Sequence, residues 1–195
     1  MNLDTMVAGI GPAGKIPPVD SWAPSQGGDM DLLITLDGQW IHEGRAIERA
    51  ALVRLLARIL RREDDGHYYL VTPQEKQRIR VEDHPFIIVD ADKGIDGQSG
   101  QDWWLTTQYG DRIRLGDEHR LCVTEMPNGD PVPEVAVRFG MSARLGRNVF
   151  YRLVEQAEPI KDPLIQHQHQ HQHQWQWVLA SGGINHPLGY LDEAP

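Results

Sequence analysis

The 195-residue chain has a single cysteine, Cys122, so no internal disulfide can form. It lies in the apolar run LCV, where a thiol behaves as a small inert hydrophobe. Long apolar runs are missing as well, and no stretch approaches the ~18 residues of a membrane span. The opening MNLDTMVAGIGPAGKIPPVDSW has no basic region followed by a sustained apolar one. Positive charge is in deficit: the net charge is −9, which argues against a general grip on nucleic acid. These absences lead to the expectation of a soluble cytoplasmic protein without membrane contact. There is also no G-x-S-x-G, no phosphate-loop motif, no cysteine pair for zinc and no H-E-x-x-H. The expectation is therefore a protein that is not an enzyme and carries no cofactor.

What is present reads as an α+β chain. Residues 1–28, rich in Gly and Pro, are expected to form a flexible tail that docks near Trp22. From Met30, MDLLITL, then DG, then QWIHEG predict a strand, a hairpin turn and a second strand. Leu52, Leu55, Leu56, Ile59 and Leu60 recur at helical spacing and predict a helix from about Ile47 to Arg62, ended by DDG. HYYLVT, RIRVED and PFIIVDA read as strands. Further strands are expected at DWWLTTQ, DRIRL, HRLCVTEM and PEVAVRFG, then a helix over about 146–156, with WQWVLAS as the last strand.

ERAALVRLL and GRNVFYRLV form an internal repeat, with Arg49 on Arg147, Arg54 on Arg152, Leu55 on Leu153 and Leu56 on Val154. Each predicted helix follows a strand pair and precedes an aromatic-aliphatic strand. This points to duplicated ββαβ units with small antiparallel sheets, a first unit over 29–84 and an elaborated second over 85–190.

The tract QHQHQHQHQWQW begins at Gln166 in the connection before the second unit's last strand. If extended, it puts His167, His169, His171 and His173 on one face with Trp175 and Trp177. Neighbouring imidazoles could share a metal ion, but a repeat supplies ligand density without fixed geometry, so residues 166–174 are read as a low-complexity loop with weak, incidental metal affinity. Trp175 or Trp177 should mark where the chain enters the packed body.

For binding chemistry, a helical wheel places Arg49 with Leu52, Leu56 and Leu60, and Arg147 beside Phe150 and Val154, on the sides expected to face a core or junction. Each then needs an anion. One reading is a structural ion pair with Glu75, Glu82 or Asp83. The other is a pair of clamps on a small anionic ligand such as a nucleotide, with the loops at Thr72, Glu75, Lys76 and Asp83 completing the wall. Thr72-Pro73 with Glu75 also has the form of a helix N-cap, and Asp83 of a turn former. His42 and His84 sit beside strand ends. Trp103-Trp104 puts one indole on each face of a strand, which leaves a protein-interaction module as the alternative function.

The run DGQWIHEGRAIERAALVRLLARILRREDDGHYYLVTPQEKQRIRVEDHPF resembles an uncharacterised bacterial family, the domain of unknown function twelve-eighty-five. The likeness continues through VAVRFGMSARLGRNVFYRLVE to SGG…PLG and spans about Gly27 to Gly189. It implies a duplicated core, a second half superficially like pleckstrin-homology folds, a nucleotide-like ligand between the halves and a signalling role. The histidine-glutamine tract, and INH where an aromatic pair commonly precedes PLG, depart from the family pattern.

Overall fold

The computed structural model describes residues 15–95, 101–125, 130–161 and 175–191, together with Leu3 and Met6. The chain is mostly β, and it divides into two compact units. The first comprises Met1–Pro85 with Arg138–Met141, the second Phe86–Val137 with Ser142–Pro195.

In the first unit β1 (Gln26–Ile34), β2 (Trp40–His42) and β3 (Arg45–Ala46) form an antiparallel meander. Its turns use Gly38 at φ 81° and the Glu43-Gly44 pair at φ 49° and 74°, the positive angles that tight hairpins require. Helix α1 (Ala50–Arg58) follows, then a second antiparallel meander of β4 (Leu60–Arg62), β5 (Tyr68–Val71) and β6 (Glu75–Val81). The sheet order is β3-β2-β1-β6-β5-β4, closed at its centre by parallel pairing of β1 with β6. The sheet is therefore mixed, whereas the sequence predicted small antiparallel ones; alternation fixes which face is buried but not the direction of a partner strand.

The predicted helix to Arg62 stops at Arg58. Ile59 and Leu60 are both fully buried, as the leucine period required, but Leu60 pairs with Leu70 as a strand residue. A short apolar run fits either geometry. DDG is accordingly a hairpin turn, with Gly66 at φ 80°. The expected tail is also partly packed: Val19 is fully buried in a 3-10 turn (Val19–Ser21), Leu3 and Met6 are buried, and β1 already starts at Gln26.

The second six-stranded sheet, which lies in the second unit apart from the β11–β12 turn at Arg138–Met141, has the same strand plan. β7 (Phe86–Ile95), β8 (Gln101–Thr107) and β9 (Arg112–Arg114) form one run of strands, and β10 (Leu121–Glu125), β11 (Pro131–Arg138) and β12 (Met141–Leu145) another. Their order is β10-β11-β12-β7-β8-β9, again with a parallel pair, β12 and β7, in the middle. Helix α2 (Arg147–Val154) leads into a separate antiparallel sheet of β13 (Glu158–Lys161), β14 (Trp175–Ser181) and β15 (Ile184–Leu191). WQWVLAS is therefore not the last strand. Gly182 and Gly183, at φ 57° and 77°, are a hairpin turn into β15, not a terminator.

The helix is the element that the two sheets do not share in position. α1 lies between the third and fourth strands of its sheet, whereas α2 follows the sixth of the other. In each unit the helix is followed by a three-stranded antiparallel meander, β4-β5-β6 in the first and β13-β14-β15 in the second.

Candidate functional site

The two arginines singled out by the sequence are exposed, one in each unit. Arg49 is the N-cap of α1, with extended backbone at φ −77° and ψ 91°, so a helical wheel does not describe it. Arg147 is the first helical residue of α2, whose buried residues are Val149 and Leu153 and not the flanking Phe150 and Val154. By cap position and burial, Leu52 and Leu56 correspond to Val149 and Leu153, one position away from the sequence alignment. Arg49 then corresponds to Gly146, the N-cap of α2. The expectation of a core-facing guanidinium is corrected by the exposure of both residues: Arg49 precedes the helix as its N-cap, and the buried stripe of α2 is Val149 and Leu153 in place of Phe150 and Val154.

The loop residues have local partners. Thr72 is buried in the turn between β5 and β6, where its hydroxyl donates to the Glu75 carbonyl and accepts the Glu75 N–H, each at 3.1 Å. It caps a hairpin, not a helix. Glu75 accepts from the Gln77 amide at 2.9 Å. Lys76 lies 2.5 Å from Glu63 and 4.7 Å from the centroid of the Tyr69 ring, while Asp83 approaches His84 Nδ1 at 2.8 Å. Glu63 also binds Arg61, whose guanidinium holds the Val19 and Trp22 carbonyls at 2.8 and 2.9 Å and so pins the 3-10 turn. Lys76 thus belongs to a network that anchors the N-terminal segment.

A different set of charges lines an open concavity of about 810 Å³ in the first unit, between β1, the β4–β5 turn and the end of β6. Its origin is a bulge. Asp29 pairs with Arg78 and Leu33 with Arg80, so four residues of β1 advance against two of β6. The bulge brings Asp29 and Asp31 beside two arginines that share a strand face, roughly 7 Å apart along the backbone. Arg78 Nε donates to Asp29 at 2.6 Å and Arg80 Nη2 to Asp31 at 3.1 Å. That hydrogen bond and the Asp29 charge raise the Arg78 pKa further. A guanidinium has five N–H donors, and among the described residues each arginine commits one of them to a side chain. Both pairs are exposed, with side-chain exposures of 46% and 71% for Arg78–Asp29 and 69% and 62% for Arg80–Asp31. Exposed pairs of this kind are worth about 0–1 kcal/mol. His67 and Tyr68 border the same space. The signal was present in the sequence as D-x-D in DMD and R-x-R in RIR, since alternate strand positions share a face.

The family model described as Domain of unknown function (DUF1285), N-terminal domain, matches residues 17–84, and that described as Protein of unknown function (DUF1285), C-terminal domain, matches residues 85–188. The chain belongs to the DUF1285 family. It is similar to the crystal structure of a DUF1285 family protein from Silicibacter pomeroyi DSS-3, with 36% identity, 98% of this chain and 96% of that chain covered, and a TM-score of 0.82. It is also similar to a DUF1285 family protein from Shewanella baltica OS155, with 26% identity, 65% of this chain and 92% of that one covered, and a TM-score of 0.52. No curated protein is similar to the chain in sequence.

In this DUF1285 chain the buried polar residues of the second unit include three that a sequence scan passes over, Asp102, Ser181 and His186. They are not arranged for nucleophilic attack. The Ser181 hydroxyl donates to the Leu115 carbonyl at 3.0 Å, and His186 Nε2 faces the Ser181 carbonyl, not its hydroxyl, at 3.2 Å. Of the tryptophan pair, Trp103 is buried and Trp104 half-buried, lying on Gly94 with Arg112 5.1 Å from its ring centroid. The histidine-glutamine tract, including His167, His169, His171 and His173, lies outside the described residues. Trp175 and Trp177 are half-buried in β14, and its core begins at Val178. Among the described residues no cluster of three or more His, Cys, Asp or Glu is placed to hold a metal, and no helix is long and apolar enough to cross a membrane.

Proposed function

We propose that this DUF1285 protein is a non-enzymatic binding protein that takes a small anionic, nucleotide-like ligand in the concavity of the first unit. The observation that carries this reading is the pair Arg78 and Arg80, adjacent on one strand face and held by exposed, weak aspartate pairs. Phosphate or carboxylate groups accept two parallel N–H bonds from a guanidinium, a stronger arrangement than the single bond each aspartate now receives. The β4–β5 turn at Gly66 and His67 borders the same space and leaves room for the remainder of such a ligand. Arg49 and Arg147, the original clamp candidates, are replaced in this reading by cations that a defined concavity brings together. A signalling role in the cytoplasm, and a second unit akin to pleckstrin-homology folds, belong to the same reading and rest on the family resemblance.

A thermal-shift screen across nucleotides tests it. A ligand present at a hundred times its dissociation constant should stabilise the chain by about 2.7 kcal/mol. The mixed charge of the groove, with Asp29 and Asp31 beside the arginines, supports one alternative, a protein partner presenting both signs of charge. A silent screen, joined to capture of a protein that Arg78→Ala and Arg80→Ala release, would favour that alternative.

A further inference from the structure

In the second unit the β14–β15 hairpin is tied to its neighbours through one imidazole. His186, on β15, is fully buried. Its Nδ1 stands 3.2 Å from the Leu121 backbone nitrogen, at the start of β10, and its Nε2 stands 3.2 Å from the Ser181 carbonyl oxygen. A backbone N–H can only donate and a carbonyl can only accept. A neutral ring with its single proton on Nε2 satisfies both contacts. A second proton on Nδ1 would point at the Leu121 N–H, donor against donor, at a fully buried side chain.

The rest of the hairpin turn is held by Ser181 and Asp102. The Ser181 hydroxyl accepts the Trp103 N–H at 2.9 Å while donating to the Leu115 carbonyl, and Asp102 accepts the Gly182 N–H at 2.9 Å and binds Arg114. The charged groups that act on the ring are Asp117 and Arg120, on the segment leading into β10, and they pull in opposite directions while pairing with each other at 2.5 Å. Burial is left as the dominant influence, and it disfavours the charged imidazolium.

We propose that His186 makes the contact between the β14–β15 hairpin and β10 an acid-released clasp. The neutral ring fastens β15 to the Leu121 N–H; uptake of one proton breaks that bond and loosens the hairpin from β10. Because the folded-state pKa lies below that of an unfolded histidine, roughly 6.5, the clasp is at full strength above that value. It weakens as pH falls through it, until the folded-state pKa is passed.

Amide hydrogen exchange on the full chain between pH 7.5 and 5, corrected for the intrinsic pH dependence of exchange, tests the clasp. In the wild type, protection of Leu121 and of the β14 and β15 amides should fall below about pH 6.5 by up to tenfold per pH unit, the signature of one proton. Protection in β1 and β6 should not follow it, and in His186→Gln the fall should vanish. A flat wild-type profile, or the same fall in His186→Gln, overturns the proposal. Should that variant fail to fold, the imidazole nitrogen resonances of the wild type decide. The proposal requires the Nε2–H tautomer with a midpoint below 6.5; an Nδ1–H tautomer or a midpoint at or above 6.5 overturns it.

Discussion

Asp102 and Gly182, eighty residues apart in the chain, are joined by a 2.9 Å hydrogen bond from the Gly182 N–H to Asp102 Oδ1. The other carboxylate oxygen binds Arg114, at 2.8 Å from Nε and 2.5 Å from Nη2. The Asp102 side chain is only 3% exposed, whereas Arg114 reaches solvent at 43%. Asp102→Ala should therefore strand the Gly182 N–H more than the guanidinium, which water can still solvate. Loss of a buried charge-assisted hydrogen bond predicts roughly 1.5–3 kcal/mol of destabilisation in urea unfolding. A variant within 0.5 kcal/mol of wild type would show that the carboxylate is not the anchor described.

The two glycines of the β14–β15 turn should differ. Both have positive φ, at 57° for Gly182 and 77° for Gly183, so alanine at either position carries a backbone cost of order 1 kcal/mol. A Cβ on Gly182 would also meet Gly116 Cα and the Leu115 carbonyl oxygen at 2.7 Å, whereas one on Gly183 meets nothing within 4 Å. Gly182→Ala is expected to lower the melting temperature clearly more than Gly183→Ala. Equal shifts would contradict the close packing of this turn on Gly116.

Glu63 predicts a pH dependence in the first unit. Burial alone would raise its pKa, but hydrogen bonds and charge from Lys76 and Arg61 outweigh that and hold it below the ordinary 4.5. A depressed carboxylate pKa contributes stability that is present above the unfolded value and is lost as pH falls through the folded one. Glu63→Gln should destabilise by roughly 1–2 kcal/mol at pH 7. The gap between variant and wild type should close as pH drops below about 4.5. Chemical unfolding at pH 7, 5 and 3.5 reads this directly, and a gap that stays constant would remove Glu63 from the network.

How much of this was legible beforehand depends on the kind of signal. The strands from MDLLITL to PEVAVRFG show in the sequence because alternation and turn residues act locally. The parallel pairing of β1 with β6 does not, since it joins segments separated by a helix and four strands. Leu60 was assigned to a helix because its burial satisfies both periods, and pairing with Leu70 decides the matter. The strand β15 was missed because INHPLGYL carries Pro187 and Gly189, two strand breakers, although the preceding Gly-Gly pair was a hairpin signal. For the candidate site, the arginine alignment selected Arg49 and Arg147 by letter identity, and the helix caps offset them by one residue. Arg78 and Arg80 were visible as an alternating pair, but nothing local reveals the β1 bulge that sets Asp29 and Asp31 beside them.

The binding reading is tested most directly by isothermal titration of a nucleotide that scores in the thermal screen, against wild type and the Arg78→Ala/Arg80→Ala double variant. Because both arginines are in exposed pairs worth about 0–1 kcal/mol each, the double variant should melt within a few degrees of wild type. Its affinity should fall at least a hundredfold, as expected when two charge-assisted contacts of about 1.5–3 kcal/mol each are removed. A double variant that folds normally and binds the same nucleotide with unchanged affinity would contradict the assignment of the concavity as the ligand site.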